Sequence, residues 1–152
     1  MRAMREKIAE ALRQAQKAHD RRGISTLRLI LAAIHDRDIA CRSAARDPVP
    51  DEEIVAILSK MVKQREESAR LFEEGGRLEL ADQEREEIAI IKRFLPRQLG
   101  EDDVQRACRQ VVSEVGADGL RDIGRCMSAL KAKYPGQMDF GKASGIVKEL
   151  LR

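Results

Sequence analysis

The fold of this chain is decided by residues 60–99, which read KMVKQREESARLFEEGGRLELADQEREEIAIIKRFLPRQL. Apolar residues recur at intervals of three and four along this stretch, which is the spacing of an amphipathic helix. The pattern is broken once, at Gly75-Gly76, and it closes at Phe94-Leu95-Pro96. Because glycine often ends a helix and proline cannot continue one, the stretch predicts two helices joined by a short turn.

Two further helices are predicted before this stretch, because the apolar spacing continues toward the N-terminus. The first spans about residues 2–20, and Gly23 is expected to end it. The second begins near Ser25 or Thr26 and is apolar almost all round, which predicts a central position in the bundle. A proline-containing connector follows, and Asp51 at its end is expected to cap the next helix.

Three shorter helices are predicted after the proline that closes the central stretch. Gly116 is expected to end the first, the second spans about residues 120–134, and Asp139 is expected to cap the last. The apolar side of this last helix consists of Phe140, Ala143, Val147 and Leu150. No strand pattern is present, so we predict an all-α protein. It comprises an N-terminal bundle of four long helices, residues 1–96, and a small three-helix C-terminal domain, residues 97–152.

The composition fits this prediction and excludes several classes of protein. Of the 152 residues, 43% are hydrophobic and 36% are charged, with no Trp, one Tyr and three Phe, so the core must be aliphatic and helices are favoured. No apolar run approaches the roughly 20 residues that span a bilayer. The first 20 residues carry charges throughout, unlike a signal peptide. We therefore expect a cytoplasmic protein with no membrane partner.

The cysteines and histidines do not form a site for a metal ion. Cys41, Cys108 and Cys126 are widely separated and contain no C-x-x-C pair, so each is predicted to be a reduced packing residue. His19 and His35 lie on different predicted helices and have no carboxylate or thiol at ligand spacing. We predict no metal and no cofactor.

The net charge of +3 conceals an uneven distribution along the chain. Residues 1–46 contain 11 Lys/Arg and 5 Asp/Glu, residues 47–90 contain 6 and 13, and residues 91–152 contain 12 and 8. An acidic middle between basic ends is typical of a protein with a polyanionic partner, and equally of helices that pair their charges with one another. The charge pattern alone leaves both interpretations open.

Several segments together resemble the GatB/YqeY family, over nearly the whole chain. Three long motifs carry the resemblance: STLRLILAAI at residues 25–34, KMVKQREES at residues 60–68 and FLPRQL at residues 94–99. Two fainter ones, DIGRCMSAL at residues 122–130 and GKASGIVKELL at residues 141–151, look like the C-terminal domain of the family. The length of this chain is similar to that of the free-standing, YqeY-like form.

The resemblance implies contact with tRNA without catalysis. In this family the same helical unit also forms the C-terminal tail of the GatB subunit of the amidotransferases that produce Gln-tRNA(Gln) and Asn-tRNA(Asn). There the tail is understood to hold the tRNA while another domain performs the reaction. The implied partners are folded tRNA and, by association, an amidotransferase or an aminoacyl-tRNA synthetase. A carbon–nitrogen ligase activity with glutamine as amido donor is implied only by inheritance from the full GatB subunit.

The expected RNA-binding surface lies on the last two helices, where cations could contact phosphates and glycines could allow close approach. The candidate residues are Arg121, Gly124, Arg125, Lys131, Lys133, Lys142, Gly145 and Lys148. The shortage of aromatic residues argues against base stacking. Arg125 and Ser128 stand where the family motif usually has Lys and Gly. The alternative interpretation is an ordinary solvated helix face with two packing glycines.

No catalytic residues are predicted. Residues 136–143, GQMDFGKA, nearly match a phosphate-binding loop, but Ala143 lacks the required hydroxyl, Asp139 adds a negative charge, and no strand precedes the segment. Amidotransferase chemistry needs an activated nucleophile and an ATP site, and neither can be assembled. One acidic run is interpreted as an exposed helix face: Glu84, Glu86 and Glu87. The second hypothesis for function is a protein–protein interaction module that docks through the second helix or the acidic third and fourth.

Overall fold

The computed structural model describes residues 3–45 and 48–152, and for residues 41–45 it describes the backbone alone. These residues contain seven α-helices and no strand, which confirms the all-helical prediction. Contacts divide the chain into a first unit, Met1–Leu95, and a second unit, Pro96–Arg152. Three predicted features fall outside the described residues: the start of the first helix at residue 2, the beginning of the proline-containing connector at Asp47, and the packing of the Cys41 side chain.

The helices of the first unit are α1 Ala3–Lys17, α2 Arg21–Ala45, α3 Asp51–Glu74 and α4 Leu78–Lys92. Those of the second unit are α5 Glu101–Val115, a 3₁₀ helix Leu120–Asp122, α6 Ile123–Lys133 and α7 Phe140–Leu151. Within the described residues, no helix has both the length and the apolarity to cross a membrane.

Helix α2 contacts each of the other three helices of the first unit, as its apolar composition predicted. The aliphatic core around it includes Ile8, Leu27, Ile30, Ile34, Ile54, Leu58, Ile88 and Ile91. Although α2 is central, it is not covered on every side, because Leu29 and Ile39 are 49% and 51% exposed. The composition of a helix does not reveal on how many sides it has neighbours.

The junction of α1 and α2 corrects the role predicted for Gly23. His19 has a φ of 55°, and α2 begins two residues later, so Gly23 lies inside the first turn of α2. The Gly23 N–H donates to Oδ1 of Asp20 at 3.0 Å, which satisfies one of the unpaired N–H groups at the start of the helix. A Cβ on Gly23 would lie 2.4 Å from Oδ2 of Asp20 and 3.4 Å from Cβ of Ala15. Close approach, and not helix termination, requires this glycine.

Two other predicted helix starts also differ. Ser25 and Thr26 lie inside α2, and Thr26 is fully buried. Asp51 is the first residue of α3, while Pro50 occupies the capping position with no side-chain hydrogen bond. Both errors have the same cause. A polar residue near a helix start cannot be recognised from the sequence alone as a capping or a non-capping residue.

The turn between α3 and α4 confirms the prediction from the glycine pair. Helix α3 ends at Glu74, and Gly76 has a φ of 76°, which is a conformation that favours glycine. Helix α4 ends at Lys92, three residues before Leu95, which still packs partly buried against the core together with Phe94.

Glu87 corrects the predicted exposed acidic face of α4. Its side chain is only 17% exposed, and its Oε2 accepts from Nε of Arg65 on α3 at 3.1 Å. Burial, followed by the negative charge of Glu87, raises the pKa of the neighbouring Glu84 carboxyl. Glu86 alone fits the prediction, with a side chain 62% exposed and an ion pair to Arg22 at 3.2 Å.

The second unit is built around the mutual packing of α5, α6 and α7. Its core includes Ala107, Cys108, Val111, Cys126, Leu130, Ala143, Val147 and Leu151. Both cysteines are buried free thiols, as predicted, and burial raises the pKa of each. Gly116 ends α5 with a φ of 70°, as expected, and Asp139 caps α7 by accepting the N–H of Gly141 at 2.9 Å.

Two predicted features of the second unit are wrong in detail. The predicted sixth helix, residues 120–134, is divided into the 3₁₀ helix and α6. The core face of α7 contains Leu151, which is 7% exposed, and not Leu150, which is 40% exposed. Leu151 follows Val147 by four residues and therefore lies on the same helix face.

Candidate nucleic-acid interface

All eight predicted RNA-binding residues are exposed in the second unit. One lies in the 3₁₀ helix, four lie in α6 and three lie in α7, in the order Arg121; Gly124, Arg125, Lys131 and Lys133; Lys142, Gly145 and Lys148. Asp139 accepts the first N–H groups of α7, from Gly141 and Lys142, at 2.9 and 3.4 Å. The segment that resembled a phosphate-binding loop is thus occupied by a carboxylate of its own, which supports its dismissal as a nucleotide site.

Helix α6 does not bring its two lysines onto one face. Each residue advances the helix by about 100°, so Lys131 and Lys133 point in directions about 200° apart. The Nζ of Lys131 lies 6.0 Å from the centroid of the Phe140 ring at the start of α7. The Nζ of Lys133 lies 3.2 Å from both carboxylate oxygens of Glu114 on α5. Lys133 therefore belongs to the α5 side of the unit and Lys131 to the α7 side.

The two arginines each pair with an aspartate three residues earlier. Arg121 lies 3.7 Å from Asp118, and Arg125 lies 3.3 Å from Asp122. Arg125 also donates to the backbone carbonyl of Val115 at 3.4 Å. The backbone N–H of Asp118, and then the charge of Arg125, lower the pKa of the Asp122 carboxyl. The Arg121–Asp118 pair is exposed on both sides and therefore weak, so a phosphate can displace Asp118 at small cost. The Asp122 carboxylate beside Arg125 is only 15% exposed.

Three lysines of α6 and α7 have no anionic partner. Lys131, Lys142 and Lys148 form no ion pair with any residue that the structure describes. Residues 120–152 contain seven Lys/Arg and three Asp/Glu, whereas α5, Glu101–Val115, contains two and four. The positive charge of the second unit is therefore concentrated on its last two helices.

The two glycines on these helices have no internal packing role. A Cβ built on Gly124 or on Gly145 would meet no heavy atom within 4 Å, as far as the described residues extend. The part of the alternative interpretation in which these glycines pack against other helices is therefore wrong, while an ordinary solvated helix face stays open as an interpretation. Gly145 lies in the interior of α7, where a glycine destabilises a helix by about 0.5–1 kcal/mol relative to alanine. Gly124 is the second residue of α6, so its cost to the helix is smaller. Ser128, four residues after Gly124, is exposed on the same face.

Sequence reasoning missed the acidic and aromatic partners of the candidate cations. Asp118, Asp122 and Glu114 compensate three of them, and Phe140 contacts a fourth. The two aspartates could have been found, because each precedes its arginine by three residues, the spacing of an intrahelical ion pair. The pair with Glu114 and the contact with Phe140 depend on tertiary packing and have no local signal. Within the described part of the chain, no three His, Cys, Asp or Glu residues are grouped to hold a metal ion.

Comparison with known proteins places these helices in a family. A family model described as "Yqey-like protein" matches residues 5–151. A protein of Schizosaccharomyces pombe, "Uncharacterized protein C22F3.15", is 26% identical over 89 residues, which cover 59% of this chain and 69% of that protein. Because the family match includes helices of both units and nearly all of the sequence, this chain belongs to the YqeY-like family.

Proposed function

We propose that this chain is a non-catalytic module that binds folded RNA of the tRNA type through α6 and α7. The observation that carries the proposal is the coincidence of three uncompensated lysines and two exposed glycines on the same two helices. Glycines that weaken a helix without improving its packing are explained if an external backbone lies against them. The proposed binding domain is residues 97–152.

The chemistry of this surface favours phosphate groups of a folded RNA. Cations on exposed helices recognise the shape and the phosphates of RNA without reading bases. Phe140, the aromatic residue that contacts Lys131, is partly buried in the core of the unit and offers no stacking platform of the kind that single-strand binders use. The binding is therefore expected to be strongly salt-dependent and to distinguish RNAs by shape.

The cellular role that we propose is an accessory to tRNA-dependent amidation. It rests on the resemblance to the amidotransferase tail, which is understood to hold tRNA while a separate domain carries out the chemistry. We assign no carbon–nitrogen ligase activity to this chain itself. An amidotransferase or a synthetase that shares the tRNA is the corresponding protein partner.

A binding assay with a charge-reversal variant tests the proposal. The variant Lys131→Glu/Lys142→Glu/Lys148→Glu and the wild type would be titrated with a folded tRNA and with a duplex RNA of equal length, at about 50 and 200 mM salt. We expect wild-type affinity for tRNA to exceed that for the duplex. In the variant we expect at least a tenfold loss, and a slope of log K against log salt that is shallower by about one unit per lost phosphate contact.

The matched control reverses three exposed lysines of the first unit, Lys7→Glu/Lys17→Glu/Lys60→Glu. It changes the net charge of the chain by the same amount, so a purely global electrostatic effect would weaken binding equally in both variants. Equal loss in the two variants, or weak binding of the wild type to both RNAs, would contradict the proposed site.

The second candidate function is a protein–protein interaction module without RNA binding. It is favoured by Leu71 and Leu78, which are 54% and 61% exposed in α3 and α4, near the turn that joins these helices. Weak, salt-sensitive binding to tRNA and duplex alike, together with loss of a protein partner in Leu71→Ser/Leu78→Ser, would favour this function.

A further inference from the structure

The exposed face of α2 has the residue pattern of a helix interface, but no helix of the described residues covers it. Leu29 and Ile39 are about half exposed on it, and Ala32 lies between them. Arg28 and Asp36 stand on either side of Ala32, four residues before and four residues after it, and both are exposed. A small residue at the centre, with large apolar residues and opposite charges around it, is the arrangement that lets two helices approach closely.

The two charges on this face differ from the other charged residues that follow along α2. Arg37 pairs with Glu53 of α3 at 3.4 Å, and Asp38 pairs with Arg5 of α1. By contrast, neither Arg28 nor Asp36 forms an ion pair with any side chain that the structure describes, those of residues 3–40 and 48–152. Eight residues of helix separate them by about 12 Å, so they are too far apart to pair with each other.

The pattern is complementary to itself when the helix direction is reversed. Arg28, Ala32 and Asp36 form one i, i+4 row, and the commonest helix crossing, near −50°, brings such rows of two helices into parallel alignment. If a second α2 runs antiparallel across Ala32, Arg28 of each helix meets Asp36 of the other. A single two-fold axis then pairs all four charges.

We propose that this face of α2 binds a second copy of the chain, in an antiparallel helix pair centred on Ala32. Two symmetric Arg28–Asp36 ion pairs fix the register and the direction of the pair, while Leu29 and Ile39 are removed from water. One helix face gives a small interface, so the dimer is weak and its population depends on protein concentration.

Sedimentation velocity of the full chain, over about a hundredfold range of concentration, tests the proposal because weak dimers dissociate on dilution. The single variants Arg28→Asp and Asp36→Arg each replace two attractions by two repulsions, and we expect each to raise the dimer dissociation constant by at least about tenfold. Both residues are exposed, so circular dichroism should show an unchanged helical fold.

Sedimentation of a mixture of the two single variants is the decisive experiment. In a mixed dimer, the aspartate introduced at position 28 of one variant meets the arginine introduced at position 36 of the other. The native Asp36 and Arg28 meet as well, so every contact is again attractive. We expect the mixture, and also the double variant Arg28→Asp/Asp36→Arg, to regain the wild-type affinity within about threefold. A monomeric wild type at every concentration, a dimer that tolerates both single variants, or a mixture that fails to associate would each overturn the proposal.

Discussion

Glycine has opposite uses in the two units of this protein. In the first unit, Gly23 lies where a Cβ would come within 2.4 Å of the Asp20 carboxylate, so the glycine is required by its own fold. In the second unit, Gly124 and Gly145 lie in open space and weaken their helices without improving any contact of the described chain. An internal packing reason explains the first glycine, and the proposed RNA partner would explain the other two.

Charged side chains also differ between the two units. The pairs Arg65–Glu87 and Arg5–Asp38 join different helices of the first unit, and their side chains are 15–21% exposed. The side chains of the paired candidate cations of the second unit are far more exposed, at 40% for Lys133, 61% for Arg125 and 83% for Arg121. The first unit thus contains partly buried ion pairs between its helices, whereas the candidate cations of the second unit are all exposed. The proposed surface is therefore made of features that the fold itself does not require.

The largest effect that we predict concerns Asp38. Its carboxylate accepts from both terminal nitrogens of Arg5, at 2.8 and 2.5 Å, and from the Val49 N–H at 2.9 Å. Asp38→Asn should lower the free energy of unfolding of the first unit by about 2 kcal/mol, because a charge-assisted pair is lost and Arg5 is left without its partner. Amide hydrogen exchange, read separately for peptides of each unit, measures the change.

The pH dependence of that effect has a definite sign. The hydrogen bonds from Arg5, with that from Val49, lower the pKa of the Asp38 carboxyl below its ordinary value of 3.8. A lowered pKa in the folded state stabilises the fold above pH 3.8, and this stabilisation is lost as the pH falls through the lowered value. The difference between wild type and Asp38→Asn should therefore shrink below that pH. The matched change at an exposed carboxylate, Asp118→Asn, should lower the free energy of unfolding of the second unit by less than about 0.5 kcal/mol. A loss equal to that of Asp38→Asn would contradict the difference that we describe between the two units.

A smaller loss is predicted for Gly23→Ala. The added Cβ displaces the Asp20 side chain from its capping position, at a cost of about 1–2 kcal/mol, while alanine returns up to about 1 kcal/mol of helix propensity. We expect a net loss of about 1 kcal/mol in the exchange protection of α1 and α2. The double variant Asp20→Ala/Gly23→Ala serves as the control, because removing Asp20 removes the clash. It should be more stable than Asp20→Ala alone; if it is not, the contact with Asp20 does not explain this glycine.

The parts of the fold that could be predicted from the sequence are those with a local chemical cause. Gly75-Gly76, Gly116 and the Asp139 cap act within a few residues of chain, and all three were predicted correctly. Gly23 was misread because a glycine that ends a helix and one that admits a neighbouring carboxylate are identical in sequence. The exposed face of α2 was missed because apolar composition does not specify neighbours.

The candidate site shows the same limit. Charge and helix position selected residues that are all exposed, but Lys131 and Lys133, two residues apart, lie on opposite flanks of α6. Helical periodicity already contained that information. Which cations are compensated depends on Glu114, which lies 19 residues before Lys133 and is brought close only by packing. Likewise, only the structure reveals that a Cβ on Gly124 or Gly145 would meet no neighbouring atom among the described residues.

The most direct test of the contrast is to measure stability and RNA affinity on one variant, Gly124→Ala/Gly145→Ala. Alanine fits both positions without a clash, so we predict exchange protection of α7 to rise by about 0.5–1 kcal/mol and that of α6, where Gly124 lies in the first turn, to rise by less. We predict affinity for folded tRNA to fall, because two methyl groups then hold the RNA backbone away from the helices. A more stable variant with weaker tRNA binding would establish that these glycines serve an external partner. A more stable variant that binds tRNA as tightly as the wild type would contradict that claim.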